Sequence, residues 1–354
     1  MRMTFVIGSL AAGGAQRVLI LLAEGLSRRG HGVSIVTLNG KEEDFFEVPE
    51  GVPRIAVGIR GFVQTIPGIF KLRRAIRSTR PDIVVSFIDV TNIITLVATS
   101  GLKAPVVVSE RIDPSRYQIG AIWEMLRRWA YPFAGGIVVQ TARARDYFLP
   151  RFQSTVRIIP NPVVLPKAES PIPFKLPKPS IVALGRFHPQ KGYDILFRAF
   201  ALIKDRHPDW SLTILGDGAM RNELESLADR LGLGKQLNLP GQVQNPHAIL
   251  KQADLFVLSS RFEGFPNALC EAMAAGLPVI STDCPSGPRE IIRDGIDGVL
   301  VENENAAALS EAMEHLMSNK QERERLSAES VKVARRFDGE RVIQMWEDLF
   351  LELV

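Results

Sequence analysis

The sequence predicts an α/β protein with two domains, each organised around a parallel sheet, and three observations support that prediction. Short apolar runs alternate with longer segments of helical periodicity along most of the chain. The alternation is interrupted between residues 160 and 179, where seven prolines fall, and then resumes. The length of 354 residues also exceeds what a single hydrophobic core usually serves. Together these features favour two doubly wound domains joined by a proline-rich linker.

The first half begins with a βαβ unit. A strand is predicted at residues 3–7, followed by a glycine loop, a helix with one apolar face and a second strand at residues 33–38. Such a unit implies parallel strands and a right-handed crossover. Further strands are expected at residues 83–87, 106–109, 137–140 and 156–159. We assign residues 1–165 to this first domain.

The second half repeats the pattern after the linker. Its apolar runs predict strands at residues 181–184, 212–215, 236–239, 255–258, 279–281 and 298–301. We assign residues 166–338 to a second domain and predict that a helix at residues 339–354 packs back on the first. Ligands of doubly wound sheets bind beyond the carboxyl ends of the strands, so two such sheets facing each other would place a ligand in a cleft between the domains.

Two glutamates, Glu263 and Glu271, flank a turn-to-helix junction in the second domain. Pro266 suits the first position of that helix and Gly276 its C-terminal stop. Amides of a first helical turn lack helical partners and attract phosphate. Here they belong to Asn267, Ala268 and Leu269. Carboxylates beside such amides suit a nucleotide-activated sugar, although the spacing alone is equally compatible with two ordinary solvated glutamates.

Two cations follow the first strand of the second domain. Arg186 and Lys191 lie in a loop that begins at Gly185 and leads into a helix. Cations at such a position can neutralise a diphosphate when it binds and when it departs. The loop lacks the residue order of a nucleotide-binding P-loop, and a surface loop with incidental charges is the alternative.

Glycine loops follow two other strands. Gly13 and Gly14 precede the first helix, where a backbone without side chains can approach a ligand closely. Gly216 begins a Gly-Asp-Gly turn that lacks the third glycine of a dinucleotide fingerprint. We interpret that turn as lining the ligand site and as evidence against NAD. A plain tight turn would explain the paired glycines equally well.

Composition narrows the class of protein. A formal net charge of +4 and a pI of about 9.1 are mildly basic, which suits an anionic substrate or a membrane surface, and no nucleic-acid partner is predicted. Two cysteines exclude a disulfide framework and favour a reducing, cytoplasmic location. No apolar run reaches the roughly 18 residues of a membrane-spanning helix. The first residues superficially imitate a signal peptide, but we expect them to form the first strand.

Metal and hydrolase chemistry find no support in the sequence. Its five histidines form no H-x-x-x-H pair, no D-x-D pair follows a strand, and no nucleophile elbow is present. We therefore expect a site that requires neither metal nor cofactor.

Three of the motifs described above follow predicted strands in a fixed order along the chain: Gly13-Gly14, then Gly185-Arg186 with Lys191-Gly192, then the pair Glu263 and Glu271. Together they resemble the motifs of the retaining glycosyltransferases of family 4. Asn161-Pro162 and residues 283–292 fit the same pattern, and the resemblance covers nearly the whole chain. It implies a GT-B fold of two Rossmann-like domains. Residues 13–17 and 86–92 are similar to N-acetylgalactosaminyl- and related hexosaminyltransferases of lipid-linked oligosaccharide and O-antigen assembly.

The resemblance implies a role for each matching residue. Arg186 and Lys191 would grip the donor diphosphate, and with Glu263 on the transferred sugar they would form the catalytic set. Glu271 would bind the ribose hydroxyls. The other donor contacts would come from Gly13, Gly14, Gly185, Gly216, Asn267, Ala268 and Leu269. The implied donor is a UDP-sugar.

One position departs from the family pattern. Many relatives carry a histidine in the first domain directed at the donor sugar, where this chain has Arg111. An arginine cannot act as a base, but it can bind hydroxyls or phosphate. Glu110, Arg111 and Asp113 are therefore candidates for contacts with the acceptor or the donor sugar.

The implied reaction is transfer with retention to a polyprenyl-diphosphate-linked glycan. Cations within residues 71–80, and aromatic and basic residues within 123–133, suit attachment to the cytoplasmic face of an anionic membrane. The same residues would also fit a solvated face and a core helix. Two alternatives stay open: a non-hydrolysing UDP-sugar epimerase, which would need a carboxylate–histidine constellation that we do not find, and a catalytically silent nucleotide-sugar-binding protein. The intact cations and glutamates argue against the second.

Overall fold

The structure, a computed structural model, describes residues 1–42, 44–59, 65–152, 156–164 and 174–354. Its packing divides the chain into two units, Met1–Pro162 with Asp338–Val354, and Val163–Phe337. The predicted boundary between residues 165 and 166 lies outside the described residues, as does the middle of the predicted linker.

The first unit is built on a parallel sheet. Its strands are β1 (Arg2–Ile7), β2 (Gly32–Thr37), β3 (Arg54–Ala56), β4 (Ile83–Phe87), β5 (Val106–Ser109), β6 (Gly136–Val139) and β7 (Val156–Ile158). They pair in the order β3-β2-β1-β4-β5-β6-β7, each pair parallel. Its helices are α1 (Gly14–Arg28), α2 (Thr65–Ser78), α3 (Asp89–Thr99), α4 (Ala121–Ala130) and α5 (Ala142–Phe148). The strand order reverses direction between β1 and β4, as in doubly wound sheets.

The second unit repeats this plan. Its strands are β8 (Ser180–Leu184), β9 (Ser211–Leu215), β10 (Leu237–Gly241), β11 (Leu255–Leu258), β12 (Val279–Thr282) and β13 (Val299–Val301), all parallel, in the order β10-β9-β8-β11-β12-β13. Its helices are α6 (Tyr193–Ala201), α7 (Arg221–Arg230), α8 (Pro246–Leu250), α9 (Asn267–Ala274), α10 (Pro288–Ile291), α11 (Ala306–Ser318), α12 (Lys320–Ser330) and α13 (Val333–Arg336). The last helix, α14 (Gly339–Leu353), belongs to the first unit.

Both faces of the first sheet are buried. Successive strand residues point to opposite sides of the sheet, and helices cover each side. Phe5 and Val85 join a core with α1 and α14, in which Trp346 is fully buried. Val6 and Val84 point the other way, into a core shared with α2, α3 and α4. The C-terminal helix is therefore one of the layers of the first unit.

The predicted α/β fold is confirmed, and every predicted strand lies on an observed one. The structure adds β3 (Arg54–Ala56), which carries no apolar run and is only half-buried, so its sequence gave no period to detect. The prediction that Pro266 opens the α9 helix was wrong by one residue. Pro266 has ψ of 89° and precedes the helix, which begins at Asn267.

The predicted stop of α9 at Gly276 is confirmed. Gly276 has φ of +84°, and its N–H donates to the carbonyl of Met273 at 3.0 Å. The N–H of Leu277 donates to the carbonyl of Ala272 at 3.1 Å. This is the paired hydrogen-bond pattern of a Schellman cap, which needs a residue in the left-handed region.

Candidate functional site

Glycines at the carboxyl ends of β8 and β9 allow two backbone segments to touch. A Cβ on Gly216 would lie 1.9 Å from the carbonyl oxygen of Gly185. Gly185 has φ of +155°, and a Cβ there would lie 3.0 Å from Lys191 Cε. Predicted site glycines are thus adjacent, at the edge of the sheet where doubly wound proteins bind ligands.

Lys191 and Glu263 form a salt bridge at this edge. Lys191 ends a 3₁₀ turn (Pro189–Lys191) after β8, and Glu263 lies in the loop after the neighbouring strand β11. Lys191 Nζ lies 2.6 Å from Glu263 Oε1, which also accepts a hydrogen bond from Ser260 Oγ at 2.6 Å. Glu263 is 5% exposed, whereas the Lys191 side chain keeps 19% of its surface. The ammonium is therefore the partner that faces solvent.

The two loops that carry this pair are bonded to each other. Gly192 has φ of +62°, and a Cβ there would lie 2.1 Å from the carbonyl oxygen of Ser259. Ser259 Oγ donates to the carbonyl of Lys191 at 2.9 Å. Gln190 Nε2 donates to the carbonyl of Phe262 at 3.0 Å. A larger residue at position 192 would force these loops apart.

Arg186 adds a second cation on the same loop. Its side chain is exposed, and it forms no ion pair within the part of the chain that the structure describes. Burial, together with the charges of Arg186 and Lys191, lowers the pKa of His188. Both cations therefore act on one small region, which suits it to bind a doubly or triply charged diphosphate.

The start of α9 only partly fits its predicted role as a phosphate cradle. The amide of Leu269 donates to the carbonyl of Pro266 at 3.0 Å, and the Leu269 side chain is fully buried. Leu269 is therefore removed from the predicted cradle. Asn267, Ala268 and Glu271 are half-buried and reachable from solvent. Their contact with a donor stays a prediction.

In the first unit, Gly13 and Gly14 lie where β1 leads into α1. Gly13 is extended, with φ of 178°, a conformation open to any residue. Its carbonyl accepts the Arg17 amide at 3.1 Å, which starts the helix. The pair lies at the carboxyl edge of the sheet, and its contact with a ligand stays a prediction.

Arg111 lies in an aromatic pocket of the first unit. Its Cζ is 4.5 Å from the centroid of the Phe87 ring and 5.8 Å from that of Trp346. Nη1 donates to Asn161 Oδ1 at 2.6 Å, while Nε and Nη2 are buried without a hydrogen-bond partner among the described residues. Burial lowers the pKa of Arg111 to about 9, so the side chain stays a cation at neutral pH. It has donors left with which to bind a polar group.

Glu110 is buried in a polar network rather than presented at the surface. It is 1% exposed and accepts a hydrogen bond from Tyr131, with Arg127 Nη1 at 4.0 Å. Asn92 Nδ2 donates to Tyr131 Oη at 3.2 Å. Burial raises the pKa of Glu110 to about 7, opposed by the charge of Arg127.

Asp113 also has a structural explanation. It is fully buried and accepts hydrogen bonds from the Ser115 amide at 2.9 Å and from Ser115 Oγ at 2.6 Å. Arg143 Nε lies 3.1 Å from its other oxygen. Among the described residues, Asp113 is fully paired, Glu110 keeps one buried oxygen, Oε2, without a hydrogen-bond partner, and Arg111 keeps two unpaired donor nitrogens.

Sequence reasoning missed Ser260 and the partners of Glu110. Ser260 stands three residues before Glu263, and a hydroxyl that close to a carboxylate could have been considered. Asn92, Arg127 and Tyr131 come from separate elements, so no local pattern connects them with Glu110. In the described ranges, His, Cys, Asp and Glu form no group of three or more that could hold a metal ion.

Two family models together match most of the chain. Residues 12–166 match the model described as Glycosyltransferase Family 4, and residues 167–333 match the one described as Glycosyl transferases group 1. The chain belongs to the group 1 and family 4 glycosyltransferases. The predicted family is thereby confirmed, and the residues described above are the candidate site of a glycosyltransferase.

Relatives of this glycosyltransferase cover its full length. A Campylobacter jejuni protein is 29% identical over 100% of this chain and 99% of its own, and its name is GalNAc-alpha-(1->4)-GalNAc-alpha-(1->3)-diNAcBac-PP-undecaprenol alpha-1,4-N-acetyl-D-galactosaminyltransferase. A structure of S. aureus TarM, in complex with fondaparinux, alpha-GlcNAc-glycerol and UDP, has a TM-score of 0.84 at 13% identity, covering 99% of both chains. Anabaena HepE in complex with UDP has a TM-score of 0.83 at 17% identity, covering 99% and 100%. These likenesses confirm the GT-B fold.

Proposed function

We propose that this glycosyltransferase moves a hexose or N-acetylhexosamine from a UDP-sugar to a polyprenyl-diphosphate-linked glycan, with retention of the α configuration. The observation that carries the proposal is the salt bridge between Lys191 and Glu263, with Arg186 beside it, at the carboxyl edge of the second sheet. The full-length relationship to an enzyme named for an undecaprenol-linked acceptor supports the acceptor class. UDP in two structures of the same fold supports the nucleotide.

In the proposed reaction the bond between the sugar C1 and the diphosphate oxygen breaks, and a bond from C1 to the acceptor oxygen forms on the same face. The acceptor proton passes to the departing diphosphate, so no dedicated base is needed. Arg186 and Lys191 stabilise the negative charge that grows on the diphosphate. Glu263 holds Lys191 in place and is close enough to share a sugar hydroxyl with it.

The remaining residues would bind the donor without taking part in bond cleavage. Glu271 accepts the ribose hydroxyls, and the amides of Asn267 and Ala268 face the phosphates at the N-terminus of α9. Arg111 binds a polar group of the sugar or the acceptor through Nε and Nη2, which have no hydrogen-bond partner among the described residues. The two cations take the place of a metal ion, so chelation by EDTA should leave turnover unchanged.

Product analysis tests this proposal. The protein is incubated with UDP-hexoses and UDP-N-acetylhexosamines, each with a polyprenyl-diphosphate-linked glycan, and the lipid product is analysed by mass spectrometry and by the anomeric coupling in proton NMR. We expect one added sugar in α linkage. A β-linked product would overturn retention. An epimerised donor without transfer would indicate an epimerase, and UDP binding without either product a silent binding protein.

We further propose that the enzyme docks on anionic phospholipid at the cytoplasmic face of a membrane, through one face of its first unit. The helix α4 exposes Ile122, Met125 and Trp129, and the 3₁₀ turn that follows it (Tyr131–Phe133) exposes Phe133 at the same helical spacing. Trp129 is 60% and Phe133 71% exposed. Of the segment predicted from sequence, Trp123 and Leu126 instead pack against the core, and Arg127 is buried.

Cations are also exposed on α2, which lies on the same side of the sheet as α4. Lys71, Arg74, Arg77 and Arg80 are exposed and form no ion pair with any described residue. Lys71, Arg74 and Arg77 belong to α2, and Arg80 follows its end. The helices α2 and α4 both pack against α3 on the same side of the sheet. Arg73, counted in this cluster from the sequence, instead donates to the carbonyl of Ala98 in α3 and to that of Ser100, directly after the helix. Positive charge and exposed aromatic rings on one side of the sheet complement anionic headgroups over hydrocarbon. No helix in the described part of the chain is long and apolar enough to cross a membrane.

Vesicle sedimentation tests this docking without any requirement for activity. Binding should be strong to vesicles containing anionic lipid and weak to phosphatidylcholine alone. Replacing Lys71, Arg74 and Arg77 together by alanine should weaken binding roughly 100-fold, at about 1 kcal/mol per cation. Trp129→Ala with Phe133→Ala should also release the protein, whereas Leu351→Ala, equally exposed on α14, should not. Two results would contradict lipid as the partner of this surface: unchanged vesicle binding in both the cation variants and the aromatic variants, or a dimer of the protein in solution.

A further inference from the structure

Arg261 connects the loop of Lys191 with the loop of Glu263. Its guanidinium donates to the carbonyl of Pro189 at 2.8 Å through Nη1. Nη1 and Nη2 also donate to the two carboxylate oxygens of Asp194, at 2.9 and 2.7 Å. Nε donates to Glu304 Oε1 at 2.9 Å. One side chain thus joins the turn before Lys191, the first turn of α6 and the segment after β13.

The backbone of Arg261 strengthens the same connection. Its amide donates to the carbonyl of Gln190 at 2.7 Å. Its own carbonyl accepts a hydrogen bond from Asn303 Nδ2 at 3.0 Å. Position 261 therefore contacts both residues that precede Lys191 in the turn, and it lies only two residues before Glu263 in the chain.

We propose that Arg261 is a positioning residue, which holds Lys191 in register with Glu263 so that the ammonium meets the charge developing on the leaving diphosphate. This inference rests on the proposed function. Lys191 ends a short turn, and its place relative to Glu263 depends on contacts made by the neighbours of both residues. A displacement of about 1 Å of a charge-stabilising group can cost roughly 100-fold in rate.

The contacts that Arg261 makes with Pro189, Asp194 and Glu304 are called the Arg261 clamp below. The charges around Arg261 indicate that this clamp is persistent. Asp194 and Glu304 flank the guanidinium of Arg261, whose side chain is 28% exposed. The hydrogen bonds that Arg261 donates to Asp194 raise the pKa of Arg261, against the effect of burial. The planar guanidinium group has five N–H donors and can bond to all these acceptors at once, whereas the ammonium of a lysine can bond to only some of them. Arg261→Lys therefore keeps the charge and removes the clamp.

The experiment compares Arg261→Lys with Arg206→Lys in the full chain. Arg206 makes a similar two-point contact with Glu314, at 2.6 and 2.8 Å, in the same unit. Donor turnover is measured by UDP release, thermal stability by calorimetry, and amide hydrogen exchange by mass spectrometry over residues 186–192. For Arg261→Lys we expect kcat to fall about 10- to 100-fold, KM for the donor to change less than about threefold, and exchange of residues 186–192 to accelerate.

Asp194→Asn supplies an independent second variant. If both side chains act through one clamp, the double variant should be little slower than the slower single variant, because the second substitution removes nothing further. A kcat for Arg261→Lys equal to that of Arg206→Lys would overturn the inference. So would a drop in thermal stability with kcat retained, since that indicates a role in the fold alone.

The failure of the proposed function gives a different pattern. If the wild-type protein released UDP from no donor, the reaction class itself would be wrong. Hydrogen exchange would still test the clamp in that case. Faster exchange of residues 186–192 in Arg261→Lys than in Arg206→Lys would support it, and equal exchange would overturn it.

Discussion

Replacing Lys191 by methionine removes the charge of the side chain while keeping nearly its length. In the structure the ammonium lies 2.6 Å from Glu263 Oε1, and Glu263 is 5% exposed. Without Lys191, Ser260 would be the side-chain donor left to the buried carboxylate of Glu263 among the residues that the structure describes. Leaving one member of a buried pair uncompensated typically costs 3–5 kcal/mol. We expect roughly 3 kcal/mol here, since water can reach the vacated side of the site.

Removing the charge of Glu263 instead should lower the free energy of unfolding by less. Glu263→Gln leaves an ammonium that retains 19% of its surface and can be solvated, so we expect a loss of about 1 kcal/mol. The double variant, with neither charge, should be no less stable than Glu263→Gln alone. For a unit of this size, 1 kcal/mol shifts the melting temperature by about 2–4 °C. Lys191→Met should therefore melt about 6–12 °C lower, and the double variant only a few degrees lower.

Differential scanning calorimetry of the four proteins checks this prediction. A Lys191→Met protein that melts within about 2 °C of the wild type would refute the reasoning. Strictly additive losses would refute it too, because they would show that the two charges do not interact in solution.

Two further predictions concern backbone packing and a buried carboxyl. Gly216→Ala should destabilise the protein by about 1–3 kcal/mol and raise KM for the donor, because the new Cβ would lie 1.9 Å from the Gly185 carbonyl oxygen. Gly32→Ala is the control and should have little effect, since the heavy atom nearest to its Cβ would be 3.5 Å away. Equal melting temperatures for the two variants would contradict this prediction. The pKa of Glu110, raised to about 7 by burial, makes the folded state favour the protonated carboxyl. Stability from this group is therefore present at pH 4 and is lost as the pH rises to about 7, by at most about 1.4 kcal/mol per pH unit. Glu110→Gln should flatten that part of the melting-temperature profile, and an unchanged slope would show that Glu110 is ionised throughout.

Much of the fold could be predicted because both sheets are parallel and buried on both sides. Their strands are continuous apolar runs, such as residues 83–87 and 255–258, which need no tertiary information to be seen. β3 (Arg54–Ala56) was not predicted, because an edge strand of half-buried residues has no such run. The start of α9 was misplaced because Pro266 fits both the first helical position and the residue before it.

The site was predictable to the extent that its residues follow strands. Lys191 and Glu263 lie after adjacent strands of one sheet, so the topology alone brings them together. Whether a side chain next to a strand end faces solvent or the core is a matter of packing, which the sequence does not encode locally. For this reason Glu110 and Asp113 could not be separated from Arg111 beforehand. The clamp by Arg261 depends on contacts between segments about 70 residues apart, with no local signal.

Transferase activity at the Lys191 loop is tested by UDP release from a panel of UDP-sugars, with and without membrane lipid extract, for the wild type, Arg186→Ala and Arg198→Ala. Arg186 and Arg198 are both exposed arginines near the start of the second unit, but only Arg186 lies in the loop of Lys191. We expect extract-dependent UDP release from one donor, reduced about 10²- to 10³-fold in Arg186→Ala and unchanged in Arg198→Ala. No release from any donor despite measurable UDP binding, or equal rates in the two variants, would contradict this expectation.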